Sequence, residues 1–172
     1  MPIQRLNHAV LYVTDVVRSV AFYEQVLGFR KVSDMATMPK AAFLQAEGST
    51  NDHDLGLFSV GDGAGPSGAG QTTVGLYHLA WEVDTLAELQ RIAGRLQSAG
   101  ALVGASDHST TKALYGKDPD GIEFEVSWLV PAALLDEATL AGRSTIKPLD
   151  LEGDTARYGA DTRGGVGVST AG

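Results

Sequence analysis

The stretch LNHAVLYVTDVV at residues 6–17 decides the fold, because it returns in outline as LYHLAWEVDTLA at residues 76–87. Each copy has a histidine at its third position, an apolar run with strand character, and then short polar residues. Such residues can cap a helix, because a side-chain oxygen accepts from the free N–H groups of the first turn. Two copies 70 residues apart indicate an internal repeat of one supersecondary unit.

The first half predicts the order β-α-β-β-β. Thr14 or Asp15 caps a helix that ends at Gly28, where glycine takes the left-handed conformation at little cost. The apolar stripe of this helix is Val16, Val17, Val20, Phe22, Tyr23, Val26 and Leu27. Further strands are predicted near 29–36, 41–47 and 54–60.

The second half repeats this order. Leu76 to Val83 predicts a strand, Asp84 is the candidate cap, and the following helix stops at Gly100. One face of that helix carries Leu86, Leu89, Ile92, Ala93 and Leu96. Strands are predicted near 101–106, 111–116 and 122–130, with a DPDG turn before the last of them.

The domain organisation that follows is one domain and a tail. The domain spans 1–130, with modules at about 1–60 and 75–130 and a glycine-rich linker, GDGAGPSGAG, at 61–70. The linker lacks the Lys-Ser/Thr ending of a phosphate-binding loop. The tail, 131–172, is predicted to form helices at 132–141 and 148–158, and to be disordered over its last dozen residues. Leu134, Leu135 and Leu140 form an apolar stripe, which predicts a homodimer.

Composition excludes several classes of function. A chain of 172 residues with 44% hydrophobic residues suits one globular domain. The net charge of -8 and the lack of a Lys/Arg cluster argue against a nucleic-acid partner. With no cysteine, disulfides and thiolate metal sites are excluded. Because no long apolar stretch is visible, we expect no secretion signal, no membrane span and a cytoplasmic location.

The histidines are the main candidates for chemistry. There are four, and His8 and His78 occupy equivalent positions of the repeat. A single such histidine could be a buried residue satisfied by backbone, whereas an equivalent pair favours metal binding. Glu123 and Glu125 share one face of the last strand, which faces either a cleft or solvent. Two imidazoles and one carboxylate would leave positions of Fe(II) open for substrate and oxygen.

Three segments together resemble the vicinal oxygen chelate superfamily: LNHAVLYVTDVVRSVAFYEQVLGF at 6–29, YHLAWEV at 77–83 and LYGKDPDGIEFEV at 114–126. This superfamily includes glyoxalase I, fosfomycin-resistance transferases, bleomycin-binding proteins and extradiol ring-cleavage dioxygenases. The resemblance implies an α+β fold in which two tandem βαβββ modules form a cupped mixed sheet around a metal site. By motif position, it implies that His8, His78 and Glu125 are the metal ligands.

The other two histidines favour type I extradiol dioxygenases within the superfamily. His53 lies where those enzymes have a histidine beside the oxygen site, and His108 and Tyr115 resemble the pair that flanks the bound diol. The alternative is that His53 and His108 are surface loop residues. The resemblance implies Fe(II)-dependent cleavage of a catechol-type diol by O2, with His108 and Tyr115 as acid and base. Mn(II) or another divalent metal would accept the same ligands.

Other activities of the superfamily are the alternatives. A glyoxalase-like lyase would need a fourth ligand from the last strand of the first half, where the nearest match is Leu57, which cannot bind a metal. A thiol transferase would use the three ligands but would not require His108 and Tyr115 together. A drug-sequestering binding protein would lack the ligand set. Many extradiol enzymes have four modules and this chain has two, and the sequence leaves open whether one chain closes the cup or two chains exchange modules.

Overall fold

The chain forms two compact units in the computed structural model, which describes residues 2–3, 5–32, 38–70 and 72–165. The first unit contains residues 1–68 together with the turn 118–121. The second contains residues 69–117 and 122–172. Each unit has a four-stranded mixed sheet of its own, which confirms the predicted α+β fold of two βαβββ modules.

The described residues of the first unit form four strands and one helix. These are β1 (Ala9–Val13), α1 (Val16–Leu27), β2 (Arg30–Lys31), β3 (Ala41–Gln45) and β4 (Leu55–Ser59). The sheet order is β1-β4-β3-β2. β1 runs parallel to β4, and the other neighbours are antiparallel. A parallel pair needs a long connection, and here α1, β2 and β3 provide it.

The second unit repeats this arrangement and adds a C-terminal segment. Its elements are β5 (Leu79–Glu82), α2 (Leu86–Ser98), β6 (Leu102–Asp107), β7 (Thr111–Lys117) and β8 (Glu123–Leu129), followed by a 3-10 turn (Ala132–Leu134), α3 (Glu137–Gly142) and α4 (Leu151–Tyr158). The sheet order is β5-β8-β7-β6, and β5 is parallel to β8.

The helix boundaries follow from caps. Asp15 caps α1, because its carboxylate accepts from the amides of Val17 and Arg18 at 2.8 and 3.3 Å. Gly28 ends α1 in the left-handed region, with φ of 77°. The prediction of Asp84 as the cap of α2 is wrong, because the Thr85 side chain accepts from the Glu88 amide instead.

The core side chains of α2 are those predicted from its periodicity. Leu86, Leu89, Ile92 and Leu96 are all buried. Spacings of three and four residues put them on one side of the helix, where they pack as the apolar core of the second unit. In α1 the buried positions are Ser19, Tyr23 and Val26, while Val17 from the predicted stripe is exposed.

The C-terminal segment differs from the prediction in one respect. A single helix over 132–141 is wrong, because Leu135 has extended backbone (φ -76°, ψ 111°) and Asp136 caps a new helix by accepting from the Thr139 amide. The break divides the predicted stripe between two elements. The helix predicted at 148–158 is confirmed as α4.

Two predictions fall partly on residues outside those described. The strand predicted at 29–36 is described only as far as residue 32, and residues 166–172 of the tail predicted to be disordered are not described. Within the described residues, the linker 61–70 contains neither helix nor regular strand. No helix in the described part of the chain has the length and apolar character needed to cross a membrane.

Candidate metal and acid–base site

His78 and Glu125 meet in the second unit. His78 lies one residue before β5, and Glu125 lies on β8, opposite Ala80 of β5. The His78 Nε2 atom is 3.4 Å from Glu125 Oε2, and both side chains are only partly exposed. His78 Nδ1 is buried and has no hydrogen-bond partner among the described residues. Neither ring nitrogen of His78 is therefore held by a backbone hydrogen bond.

These two side chains fit part of a divalent metal site. Ligand atoms about 2.1 Å from one ion lie about 3.0 Å apart at an octahedral angle and about 3.4 Å apart at a tetrahedral angle. The 3.4 Å between His78 Nε2 and Glu125 Oε2 is at the upper end of this range. An imidazole and a carboxylate together suit Fe(II), Mn(II) and Zn(II). Among the described residues, no group of three or more histidine, aspartate or glutamate side chains is close enough to hold a metal ion. The ligand roles of His8, His78 and Glu125 are therefore proposals.

His108, Tyr115 and Ser106 form a hydrogen-bonded triangle in the same unit. His108 Nε2 is 3.0 Å from the Tyr115 hydroxyl and 2.8 Å from Ser106 Oγ. Ser106 Oγ also donates to the Tyr115 hydroxyl at 3.3 Å. Neutral imidazole Nε2 can accept a proton or, in the other tautomer, donate one. The triangle can therefore move a proton between an imidazole and a phenol.

Tyr115 belongs to the triangle and also lies near His78 and Glu125. It lies opposite Glu125 in the register of β7 and β8, and its ring centroid is 6.0 Å from that of His78. Burial raises the pKa of the Tyr115 phenol, and the Glu125 carboxylate adds to the rise, although the Ser106 hydrogen bond opposes it. The phenol is therefore protonated at neutral pH and can donate a hydrogen bond.

The first unit brings together His8 and His53. His8 lies one residue before β1 and is exposed, and His53 lies two residues before β4. Their ring centroids are 4.5 Å apart, and the Phe43 ring packs against His53 at 5.0 Å. His53 is only 8% exposed, so the reading of His53 as a surface loop residue is wrong. Its Nδ1 lies 3.2 Å from the Asp52 carboxylate.

The strand register shows where the two halves differ around the candidate site. Val10 pairs with Gly56 and Ala80 pairs with Glu125, while His8 and His78 precede Val10 and Ala80 by the same two residues. Gly56 is therefore the counterpart of Glu125, which corrects the expectation of Leu57. Glycine has no ligand atom in its side chain, so the first half supplies no carboxylate at this position.

The same register relates the two aromatic residues. Phe43 pairs with Gly56 as Tyr115 pairs with Glu125. The first half thus has a phenyl ring where the second half has a phenol. Of these two rings, only the Tyr115 phenol can exchange a proton.

Two residues of the site were not predicted. Ser106 completes the triangle, and the Tyr77 ring lies 4.7 Å from the His78 ring. Strand alternation could have indicated Ser106, since residues two apart share a face and Ser106 precedes His108 by two. No comparable pattern indicated Tyr77, which is exposed and precedes β5.

Comparison with known proteins places the chain in a family. Residues 5–126 match the family described as the Glyoxalase/Bleomycin resistance protein/Dioxygenase superfamily. A catechol-2,3-dioxygenase of Bacillus subtilis is 29% identical over 121 residues. Those residues are 70% of this chain and 40% of that protein, so the chain spans less than half the length of this curated relative.

Solved structures show the same fold. A glyoxylase/bleomycin resistance protein/dioxygenase domain from Frankia sp. EAN1pec has a TM-score of 0.61 and 23% identity, and the match covers 73% of this chain and 92% of that one. A lactoylglutathione lyase from Agrobacterium tumefaciens has a TM-score of 0.53 and 21% identity, over 74% and 95% of the two chains. The family match over 5–126 therefore confirms the resemblance seen in the sequence: the chain belongs to the glyoxalase/bleomycin resistance/dioxygenase family, the vicinal oxygen chelate superfamily.

Proposed function

We propose that this chain is an Fe(II)-dependent extradiol dioxygenase, which cleaves a catechol-type aromatic diol with O2. The observation that carries the proposal is the 3.0 Å contact between His108 Nε2 and the Tyr115 hydroxyl. Tyr115 lies on β7, directly opposite Glu125 on β8. A metal-binding pair alone would suit several reactions of the superfamily. An imidazole and a protonated phenol beside that pair suit a substrate with two hydroxyl groups.

The metal ligands in this proposal are His8, His78 and Glu125. His78 and Glu125 have the spacing of two ligands of one ion, and His8 is the equivalent of His78 in the repeat. A bound Fe(II) ion would chelate the diol, lower the pKa of its hydroxyl groups and accept O2. Mn(II) or another divalent metal is the alternative.

His108 and Tyr115 would handle the protons of the diol. His108 would accept a proton from one diol hydroxyl through Nε2. The Tyr115 phenol, whose pKa burial raises, would donate a hydrogen bond to a diol oxygen. Ser106 Oγ, 2.8 Å from His108 Nε2, would hold the imidazole in place.

His53 would act on the oxygen side. Its buried imidazole lies beside His8, with 4.5 Å between ring centroids, so it would adjoin any ligand of the ion that His8 binds. The Asp52 carboxylate lies 3.2 Å from the His53 Nδ1 atom. In this proposal the imidazole would pass a proton on the oxygen side of the site.

The second candidate function is a glyoxalase-like lyase or a thiol transferase. A lactoylglutathione lyase shares the fold, but at 21% identity this likeness concerns the fold alone. A lyase with a fourth ligand in the first half would need a ligand atom where this chain has Gly56. A drug-sequestering protein transfers no proton, so its function would not require the His108–Tyr115 contact.

Anaerobic loading with Fe(II), followed by a panel of catechols and air, tests the proposal. We expect a yellow ring-opened product from at least one catechol and none from the protein without metal. An iron-loaded protein that is inert toward the whole panel, but adds thiols or isomerises hemithioacetals, would favour the lyase or transferase.

Two coarser expectations also stay predictions: a homodimer and a cytoplasmic location. Of the stripe that motivated the dimer, Leu134 is exposed, at 42%, while Leu135 and Leu140 are partly buried. We expect a dimer by light scattering at micromolar concentration. A monomer would remove the dimer and leave the proposed site unchanged.

A further inference from the structure

The hairpin that joins β6 to β7 carries His108 and has a constrained backbone. Ser109, the next residue, has φ of 69°, a conformation that residues other than glycine seldom adopt. Its amide donates to the Asp107 carboxylate at 2.6 Å, and the His108 amide donates to the Thr111 carbonyl at 2.9 Å. Such a turn persists where its surroundings hold it in place.

The C-terminal segment supplies part of those surroundings through its backbone. The Asp107 amide donates to the Lys147 carbonyl at 2.8 Å, and the Lys147 amide donates back at 2.9 Å. Gly142, the last residue of α3, packs against Ser109: a Cβ atom at Gly142 would lie 2.6 Å from Ser109 Oγ and 3.1 Å from Ser109 Cβ. A methyl group at Gly142 would therefore require Ser109 Oγ to rotate away and Ser109 Cβ to move by a few tenths of an ångström.

A buried lysine ties α4 to the same hairpin. The side chain of Lys112 is 2% exposed, and its Nζ contacts the Asp107 carboxylate at 2.7 Å and that of Asp154, on α4, at 2.9 Å. Burial opposes the charged form, but the two carboxylates outweigh it and raise the pKa of Lys112. The lysine is therefore a charged link between α4 and Asp107.

We propose that the C-terminal segment, residues 131–165, positions the His108 imidazole against Tyr115. This segment begins beyond residue 126, where the family match ends. The positioning residues are Asp107, Ser109, Lys112, Gly142 and Asp154. The consequence for turnover rests on the proposed function, because a displacement of about 1 Å at a catalytic group can cost on the order of 100-fold in rate.

Gly142→Ala is the sharpest test, because it improves the helix while it displaces the hairpin. Alanine has a higher helix propensity than glycine, but its methyl group must push Ser109 away. Gly94→Ala in α2 is the matched control, since a Cβ there meets no atom within 4 Å. We expect Gly142→Ala, unlike Gly94→Ala, to shift the His108 imidazole signals in proton–nitrogen correlation spectra. These signals are assigned by their loss in His108→Gln.

Kinetics should follow the spectra. In the iron-loaded protein we expect kcat to fall about 10- to 100-fold in Gly142→Ala, with a smaller change in KM and unchanged iron content. Ser109→Gly removes the side chain that a methyl group at position 142 would contact, and glycine adopts the positive φ at position 109 without strain. The double variant Gly142→Ala/Ser109→Gly should therefore regain the wild-type signals and most of kcat.

Asp154 provides an independent test that does not rely on packing. Removal of Lys112 itself would leave the buried Asp154 carboxylate and the partly buried Asp107 carboxylate without their ion-pair partner, so Asp154→Ala is the better variant. We expect faster hydrogen exchange at the amides of Asp107 and Ser109, with exchange in β8 unchanged. Asp154→Asn, which keeps the acceptor for Lys112, should restore slow exchange.

The outcomes separate this inference from the proposed function. Shifted His108 signals in Gly142→Ala, rescued by Ser109→Gly, support the positioning role even if the wild-type protein cleaves no catechol. If Gly142→Ala and Gly94→Ala give the same spectra, or if Asp154→Ala leaves exchange at the hairpin unchanged in a folded protein, the positioning role is overturned.

Discussion

Tyr115→Phe is expected to lower kcat for diol cleavage by on the order of 100-fold or more. The change removes one hydroxyl and keeps the ring that packs 6.0 Å from the His78 ring. It deletes the hydrogen bond between the Tyr115 hydroxyl and His108 Nε2 at 3.0 Å. The triangle then contains no phenol. Because neither proposed metal ligand on the second unit is altered, iron content should stay near wild type. Steady-state kinetics together with metal analysis check both expectations.

Tyr158→Phe is the matched control for this variant. Tyr158 lies on α4 in the same unit and packs against Trp128, with ring centroids 5.5 Å apart. Its buried hydroxyl has no hydrogen-bond partner among the described residues, so its removal should leave kcat within a few-fold of wild type. If the two variants lost activity equally, Tyr115 would have no specific role in proton transfer.

Glu125→Ala is expected to abolish tight binding of a divalent metal. Glu125 supplies the only negative charge among the three proposed ligands. Loss of a group that merely orients a ligand costs about 10- to 100-fold in metal affinity, so loss of the ligand itself should cost about 100-fold or more. Wild type should retain one ion per chain after anaerobic loading with Fe(II) or Mn(II) and gel filtration, and Glu125→Ala should not.

Glu123→Ala tests whether the loss is specific. Glu123 lies on the same strand and, by alternation, on the same face as Glu125, and its removal should leave metal content unchanged. His78→Ala should behave like Glu125→Ala. Equal metal content in wild type, Glu125→Ala and His78→Ala, all folded by circular dichroism, would remove this ligand assignment.

The repeat was predictable because its signals are local. Helix α2 shows its core in the spacing of Leu86, Leu89, Ile92 and Leu96, all of which are buried. The strands alternate or form apolar runs of ordinary length, and Asp15 and Gly28 mark the ends of α1. Each of these features depends on residues within about one or two turns of one another.

Some element boundaries were not predictable because they depend on competition between neighbouring polar residues. Asp84 and Thr85 can both cap a helix, and Thr85 does so. The Asp84 carbonyl accepts from the amide of Gly164 at 2.6 Å, and Gly164 lies 80 residues further along the chain. In the tail, Asp136 begins a helix where apolar periodicity alone predicted continuation through Leu135.

Motif positions named the residues of the candidate site, but not the contacts that support them. His78, Glu125, His108 and Tyr115 follow from motif positions, and the structure brings these four together in one unit. Burial of His53 depends on the Phe43 ring, which no short motif contains. The contacts of Asp107 with Lys147 and of Lys112 with Asp154 join residues about 40 positions apart. Sequence periodicity carries no information at that range.

Isotopically labelled O2 tests the central claim most directly. The Fe(II)-loaded chain would be mixed with a catechol that it consumes, under labelled O2, and the product analysed at once by mass spectrometry. A dioxygenase adds both atoms of one O2 molecule, so we predict a ring-opened product with the mass of the diol plus two labelled oxygen atoms. A quinone without labelled oxygen, or no consumption of any catechol by the iron-loaded protein, would contradict the account.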